Sequence, residues 1–328
     1  MYFQMLKNLK ITLYALVLYF SVFFISACAT IQLGPRMEPF KETVLEGEGS
    51  DKLLLINLQG LINNQKDHAF TGATTALGMV EEVREILSKA EKDQDIKALL
   101  IKMNSPGGTV TSSDIIFHEL VTYKKKHGIP VYIHIMDIAA SGGYYIALAG
   151  DQIFAHPTSL VGSIGVIALK LNLKNLMDKV GVDWEVVKSG DKKDFMSPFR
   201  SLTDEERKLF QNTIDHFHAR FVNIISENRT KLNLEEVRAL ADGRIFTSKQ
   251  AINLNLIDGI GYISDTVKAI KLKLKIPDLK LITYHRQGDY KSNLYSISPQ
   301  SPTFNMINVN LGLDKGELSP HFLYLWMP

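Results

Sequence analysis

Residues 131–165 read VYIHIMDIAASGGYYIALAGDQIFAHPTSLVGSIG, and the fold is decided there. Val131–Met136 is a short apolar run rich in β-branched residues, which predicts a buried strand. Ala140-Ser141-Gly142-Gly143 interrupts it, Gly142–Ala149 reads as a helix, and Gln152–Ala155 reads as a second strand. Strand, glycine turn, helix and strand in one short segment form the βαβ pattern of an α/β sheet.

The pattern extends in both directions. Leu53–Leu58 reads as a strand, followed by a helix with Ala76, Val80, Val83 and Leu87 on one face. Ala98–Met103 predicts another buried strand, and a helix follows Gly108 with Ile116, Leu120 and Val121 on one face. Residues 31–50 lack periodicity and read as a tether, which puts the domain at 51–275. From residue 201 the pattern is mostly helical. Thr203 with Glu206, and Asn233 with Glu236, have capping-box spacing. Phe210, Ile214, Phe217, Phe221 and Ile224 draw one helical stripe, read as core. Residues 276–328 are rich in Pro, Ser and Asn and read as a C-terminal extension, ending in the apolar FLYLWMP.

Composition removes several classes of function. The chain has 328 residues, 45% hydrophobic and 22% charged, which excludes a disordered protein. Lys plus Arg is 37 against 35 for Asp plus Glu, a net charge of +2, so nucleic acid has no basic footprint to bind. The single cysteine, Cys28, excludes a disulfide framework and a cysteine zinc cluster. The nine histidines are scattered without HExxH, and His216 and His218 point to different helix faces, so no metal is expected. Neither GxxxxGK[ST] nor GxGxxG occurs, so no nucleotide cofactor is expected.

The first thirty residues carry Lys7 and Lys10, an apolar stretch from Ile11 to Ile25, and small residues before Cys28, which make an export signal. Ile25-Ser26-Ala27-Cys28 resembles a lipobox, in which Cys28 would be diacylated and anchor the chain. The 19 residues Ile11–Ala29 also approach the length of a membrane-spanning helix. A signal that is cut and lost is the third reading. All three place the remainder outside the cytoplasm, and two keep it on a membrane.

Three glycine-rich turns end predicted strands: Asn104–Gly108, Ala140–Gly143 and Gly162–Gly165. Strand ends of this kind converge on one crevice, and their free N–H groups can hold an oxyanion. Ser141 stands beside them as a candidate nucleophile, or as an N-cap. The paired glycines behind it suit the close approach of another backbone, which a cap does not need. The pattern is not the GxSxG elbow, so an α/β-hydrolase triad is not indicated. For a base, His134 and His156 lie in or beside buried strands. The alternative is a lysine of Lys188-Ser189-Gly190-Asp191-Lys192-Lys193-Asp194, a run that also reads as a solvated loop. A free lysine has a pKa of about 10.4 and must be desolvated to act as a base. Ser189 and Lys192 spell SxxK, but the accompanying KTG is missing.

Together, NSPGG at 104–108, ASGGYYIA at 140–147, VGSIGVI at 161–167, KSGDKKDFMSPFR at 188–200 and ADGRIFTSKQAINLNLID at 241–258 resemble the signal peptide peptidase A family of bacterial membrane-bound serine peptidases. The resemblance implies an α/β, ClpP/crotonase-like fold of repeated βαβ units with added helices, in the short single-copy form. It implies a Ser–Lys dyad that hydrolyses peptides left in the membrane after signal-sequence cleavage. By position, Ser141 matches the nucleophile, Lys193 the general base with Lys192 its neighbouring competitor, Gly108 and Gly142 the oxyanion donors, and Ser163 the hydroxyl that orients the lysine. It also implies a closed homo-oligomer in which adjacent subunits complete each site. Ser141 and Lys193 are then expected out of hydrogen-bond reach within one chain. A groove accepting small or aliphatic residues before the cut is expected beside Ser141. An acyl-CoA enzyme of crotonase type and a non-catalytic peptide-binding scaffold are the two other readings.

Overall fold

The structure, a computed structural model, describes residues 39–65, 67–68, 74–286, 293–296 and 322–327. The anchor segment, with Cys28, lies outside them. Contacts divide the chain into one unit of residues 1–36 with 68–75 and another of 37–67 with 76–328; the sheet and site described below belong to the second.

The strands in chain order are β1 (Lys41–Glu46), β2 (Lys52–Gln59), β3 (Asp67–His68), β4 (Thr74–Ala76), β5 (Ile96–Ser105), β6 (Gly107–Thr109), β7 (Val131–Ala140), β8 (Gln152–Ala155), β9 (Leu160–Gly162), β10 (Ile167–Ala168), β11 (Ile245–Thr247), β12 (Gly259–Ile260), β13 (Lys280–His285) and β14 (Phe322–Leu325). The helices are α1 (Met79–Ala90), α2 (Val110–His127), α3 (Gly142–Ala147), α4 (Lys174–Val180), α5 (Asp204–Asn228), α6 (Leu234–Leu240), α7 (Ser248–Asn253) and α8 (Ile263–Leu274).

The main sheet runs β1-β13-β2-β5-β7-β8-β12, with β9 against the far end of β7 and β11 against β9. From β13 to β12 every neighbour is parallel. Parallel strands are covered on both faces, which is why β2 reads LLLINL without alternation. Leu54, Ile56 and Leu58 face a core packed by α1, α2 and α3. Leu53 and Leu55 face a second core with Ile263, Val267 and Ile270 of α8. The two predicted capping boxes close the N-termini of α5 and α6.

Two segments that the sequence reading set outside the domain belong to the sheet. Within the supposed tether, Lys41–Glu46 forms edge strand β1, whose alternation is weak because no residue of it is fully buried. Within the supposed extension, β13 lies between β1 and β2, and its buried Leu281 and Ile282 fill both cores. The chain's last strand, β14, is the centre of a separate antiparallel sheet, β10-β14-β6.

Candidate active site

The three glycine turns do converge. β7 outruns its partner β8: beyond Ile135 that edge pairs instead with β9, Ala140 opposite Gly162, while on the other edge a register shift at Met103–Ser105 sets Ser105 opposite Ala139. The Ser141 N–H then donates to the Gly162 carbonyl at 2.7 Å, joining the second turn to the third. Asn104 joins the first: its side-chain amide donates to Asp137 at 2.7 Å, and its oxygen accepts the Ile138 N–H at 3.2 Å.

Ser141 is buried and holds φ 52°, ψ −114°, a region that residues with a β-carbon rarely occupy. It precedes α3, yet its side chain makes no capping bond. Its hydroxyl faces the Gly165 carbonyl across 3.4 Å, and among the described residues no lysine or histidine nitrogen bonds to it. The N-cap reading therefore fails. A strained backbone is held here, and the hydroxyl it presents is left nearly free.

The paired glycines have structural reasons. A β-carbon at Gly143 would lie 2.7 Å from the Ser105 carbonyl oxygen, and one at Gly142 would lie 2.4 Å from Ser113 Oγ and 3.2 Å from the Gly108 nitrogen. On β6, Thr109 N–H donates to the Ile62 carbonyl and Gly107 carbonyl accepts from Ile62 N–H, both at 2.9 Å. Peptide groups alternate along a strand, so the Gly108 N–H points the other way, to the edge where β14 sets Tyr324 opposite Gly108, and its nitrogen stays close to Gly142. Two backbone nitrogens beside a free serine hydroxyl can stabilise the oxyanion of acyl transfer.

Ser163 is also buried, at φ 49°, and opens onto a cavity of about 440 Å³ that Gln211, Asp215 and His218 of α5 also line. Lys193 is elsewhere. It sits exposed on a loop of successive turns between Gly190 and Ser197. That loop is pinned through the next residue: Asp194 accepts from Arg200 at 2.8 and 2.9 Å and from Lys188 at 2.6 Å. Arg200 also grips Glu206, and these bonds hold both carboxyls below their usual range. Lys192 is bonded to Glu205. Of the histidines, His134 is buried against Thr266 at 2.8 Å and His156 is bonded to Thr158 at 2.9 Å; neither bonds to Ser141.

Sequence reasoning missed α5 as a wall of the site. Phe210 and Phe217, read as core, are only half-buried and pack on Phe322 of β14, with ring centroids 5.0 and 5.3 Å away. The signal was present in FLYLWMP, whose apolar character had no partner in the sequence reading.

Residues 123–276 match the profile described as Peptidase family S49, and residues 61–161 match Clp protease. A protein named as a signal peptide peptidase SppA in Enterococcus faecium is 36% identical over 74% of this chain and 70% of its own length. A protein of Synechocystis named as a protease is 41% identical over 60% and 69%. A solved chain of a membrane-bound stomatin-specific protease mutant aligns with a TM-score of 0.43 and 15% identity, over 67% of this chain and 85% of that one. The first of these relatives matches at a level that leaves the kinship in no doubt. The chain belongs to the signal peptide peptidase A family, within peptidase family S49, and is a serine peptidase of ClpP-like α/β fold.

Proposed function

We propose that Ser141 is the nucleophile of an endopeptidase that cleaves membrane-derived peptides such as spent signal peptides, with Lys193 of an adjacent copy as its base. The observation that carries this reading is the backbone of Ser141, held at φ 52° with a hydroxyl that caps nothing. Strain of this kind persists where the surroundings over-determine it, and it clusters at active sites. The Ser141 hydroxyl oxygen attacks a substrate carbonyl while the neutral Lys193 amine takes its proton. The Gly108 and Gly142 N–H groups hold the oxyanion. The proton then passes to the leaving amine, and water hydrolyses the serine ester.

A lysine must lose its water to be a base at neutral pH, and a neighbouring copy supplies that cover. The exposed apolar side chains Leu171, Leu176, Val180, Val182, Trp184 and Val187 support an interface there, because they precede the Lys193 loop directly. Ser163, beside its cavity, orients the arriving amine. The export signal at the N-terminus puts the domain outside the cytoplasm, and acylated Cys28 or the apolar 11–29 segment keeps it at the membrane, where leftover signal peptides remain. That substrate class is supported by the name of the Enterococcus faecium relative.

A serine-reactive fluorophosphonate should label the wild-type chain and leave Ser141→Ala unlabelled. Equal labelling of both would transfer the role to another serine.

A further inference from the structure

The loop that carries Lys193 is closed on one residue. Asp194 accepts from Lys188, six residues before it, and from Arg200, six residues after it, so both ends of the segment are tied to its middle. Arg200 Nε and Nη2 fork onto Asp194 at 2.9 and 2.8 Å, and Nη1 and Nη2 fork onto Glu206 at 2.9 and 2.6 Å. Nη1 also reaches the Ser201 carbonyl at 3.1 Å. A guanidinium has five N–H groups in one plane, and these five bonds use all of them. A lysine could not make this pattern, because its ammonium is a point donor on a flexible stem.

Glu206 ties the loop to the body of the domain. It is buried, and its carboxylate completes the capping box of α5 by accepting the Thr203 N–H at 2.8 Å. A buried carboxylate needs a cation beside it, and Arg200 is that cation. The ring of Phe195, next after Asp194, meets Phe210 of the same helix at 5.9 Å. Lys193 is therefore followed by two residues fixed to α5, one through an ion pair and one through a ring contact.

The charges of the segment are matched with one cation left over. Residues 188–200 hold four cations. Lys188 is on Asp194, Arg200 is on Asp194 and Glu206, and Lys192 is on Glu205. Lys193 bonds to no carboxylate among the described residues. Asp194 adjoins it in the chain, and an ion pair between the two would hold the amine charged. With Arg200 and Lys188 on its oxygens, Asp194 is occupied.

We infer that Arg200 is the positioning residue of the base: gripping Asp194 and Glu206 together, it sets the place of Lys193 and keeps the adjacent carboxylate off its amine. The inference rests on the reading of Lys193 as the base for a neighbouring copy's Ser141. The rival is that Arg200 only secures the start of α5, which costs stability equally in whichever chain carries the change.

The test pairs full-length chains and reads the rate at which a fluorophosphonate labels Ser141. Ser141→Ala supplies the lysine, Lys193→Ala supplies the serine, and their reassembled mixture sets the reference. Arg200→Gln added to the Ser141→Ala chain should lower the maximal labelling rate roughly 10- to 100-fold with the half-saturating probe concentration unchanged, since a misplacement of about 1 Å can cost about 10²-fold. The same change added to the Lys193→Ala chain should stay within about twofold of the reference. Arg200→Lys on the lysine donor should remain closer to Arg200→Gln than to wild type, because charge without the fork cannot hold both carboxylates. Equal losses from the two placements, or no loss from either, overturn the inference while the reference mixture still labels. A reference mixture that does not label contradicts the Ser141–Lys193 reading instead. Arg200 is then judged by hydrogen exchange in the Arg200→Gln chain. The amides of Lys193, Phe195 and Ser197, bonded to the Gly190, Lys192 and Asp194 carbonyls, should exchange roughly tenfold faster, beyond any change in β5 and β7. A loop that exchanges no faster than in wild type overturns the inference.

Discussion

Replacing Ser141 by glycine should make the protein more stable while ending its activity. The serine holds φ 52°, ψ −114°, where its β-carbon crowds the backbone. A residue in such a region is destabilised by about 1–3 kcal/mol. Glycine relieves that, but its freer unfolded chain takes back about 0.5–1 kcal/mol. The hydroxyl's contact with the Gly165 carbonyl is long, at 3.4 Å, and its loss should matter little. The net expectation is a gain of about 0.5–2 kcal/mol, or a few degrees in melting temperature for a domain of this size. Ser141→Ala is the control, because alanine keeps the β-carbon and with it the strain. Urea denaturation of wild type and both variants, at one protomer concentration, measures the difference. Both variants should lose fluorophosphonate labelling. If Ser141→Gly is no more stable than Ser141→Ala, the turn stores no strain and the reasoning from backbone geometry to nucleophile is refuted.

Three further outcomes are expected. In Gly142→Ala, the new methyl crowds Ser113 Oγ at 2.4 Å and the Gly108 nitrogen at 3.2 Å; kcat should fall by about 10²–10³, and adding Ser113→Ala should restore stability without restoring rate. Burial pushes the His134 imidazole down to about 4, with His156 and Lys102 adding to that and Asp265 opposing it. The ring is therefore neutral in the fold. Its contribution is complete above the unfolded value of about 6.5 and is lost as pH falls toward 4, so His134→Asn should flatten stability across that window. Arg200 holds the Glu206 carboxyl at about 2, aided by the Thr203 N–H and opposed by burial. That stabilisation is complete above about pH 4.5 and is lost as pH falls toward 2; Glu206→Gln should remove the lower slope and leave the His134 window intact, as urea titrations at stepped pH would show.

The parallel core was legible because residues buried on both faces leave continuous apolar runs, as in Leu53–Leu58 and Ala98–Met103, and because glycine turns mark their ends. The helix starts were legible for a different reason: the capping boxes at Thr203 and Asn233 are local and need no tertiary information. β1 was missed because an edge strand buries too little to show a pattern. β13 was missed because its partners, β1 and β2, lie more than 200 residues earlier, and register between distant segments leaves no local trace. At the candidate site, glycines and serine marked the turn at Ser141. The strained Ser141 follows directly on the Ala140–Gly162 pairing, and the contacts of Tyr324 with Tyr145 and the Phe217 carbonyl join three distant segments, none of which leaves a local trace.

The central claim is that one copy's Ser141 is served by another copy's Lys193, and mixing two inactive proteins tests it most directly. Ser141→Ala and Lys193→Ala should each be inactive alone. Dissociated, combined in equal amounts and reassembled, they should regain up to about a quarter of wild-type activity, since in a closed head-to-tail assembly one junction in four joins an intact serine to an intact lysine. Lys192→Ala, whose amine is bonded to Glu205, should stay active on its own. No recovery in the reassembled mixture, or a dead Lys192→Ala beside an active Lys193→Ala, would contradict the account.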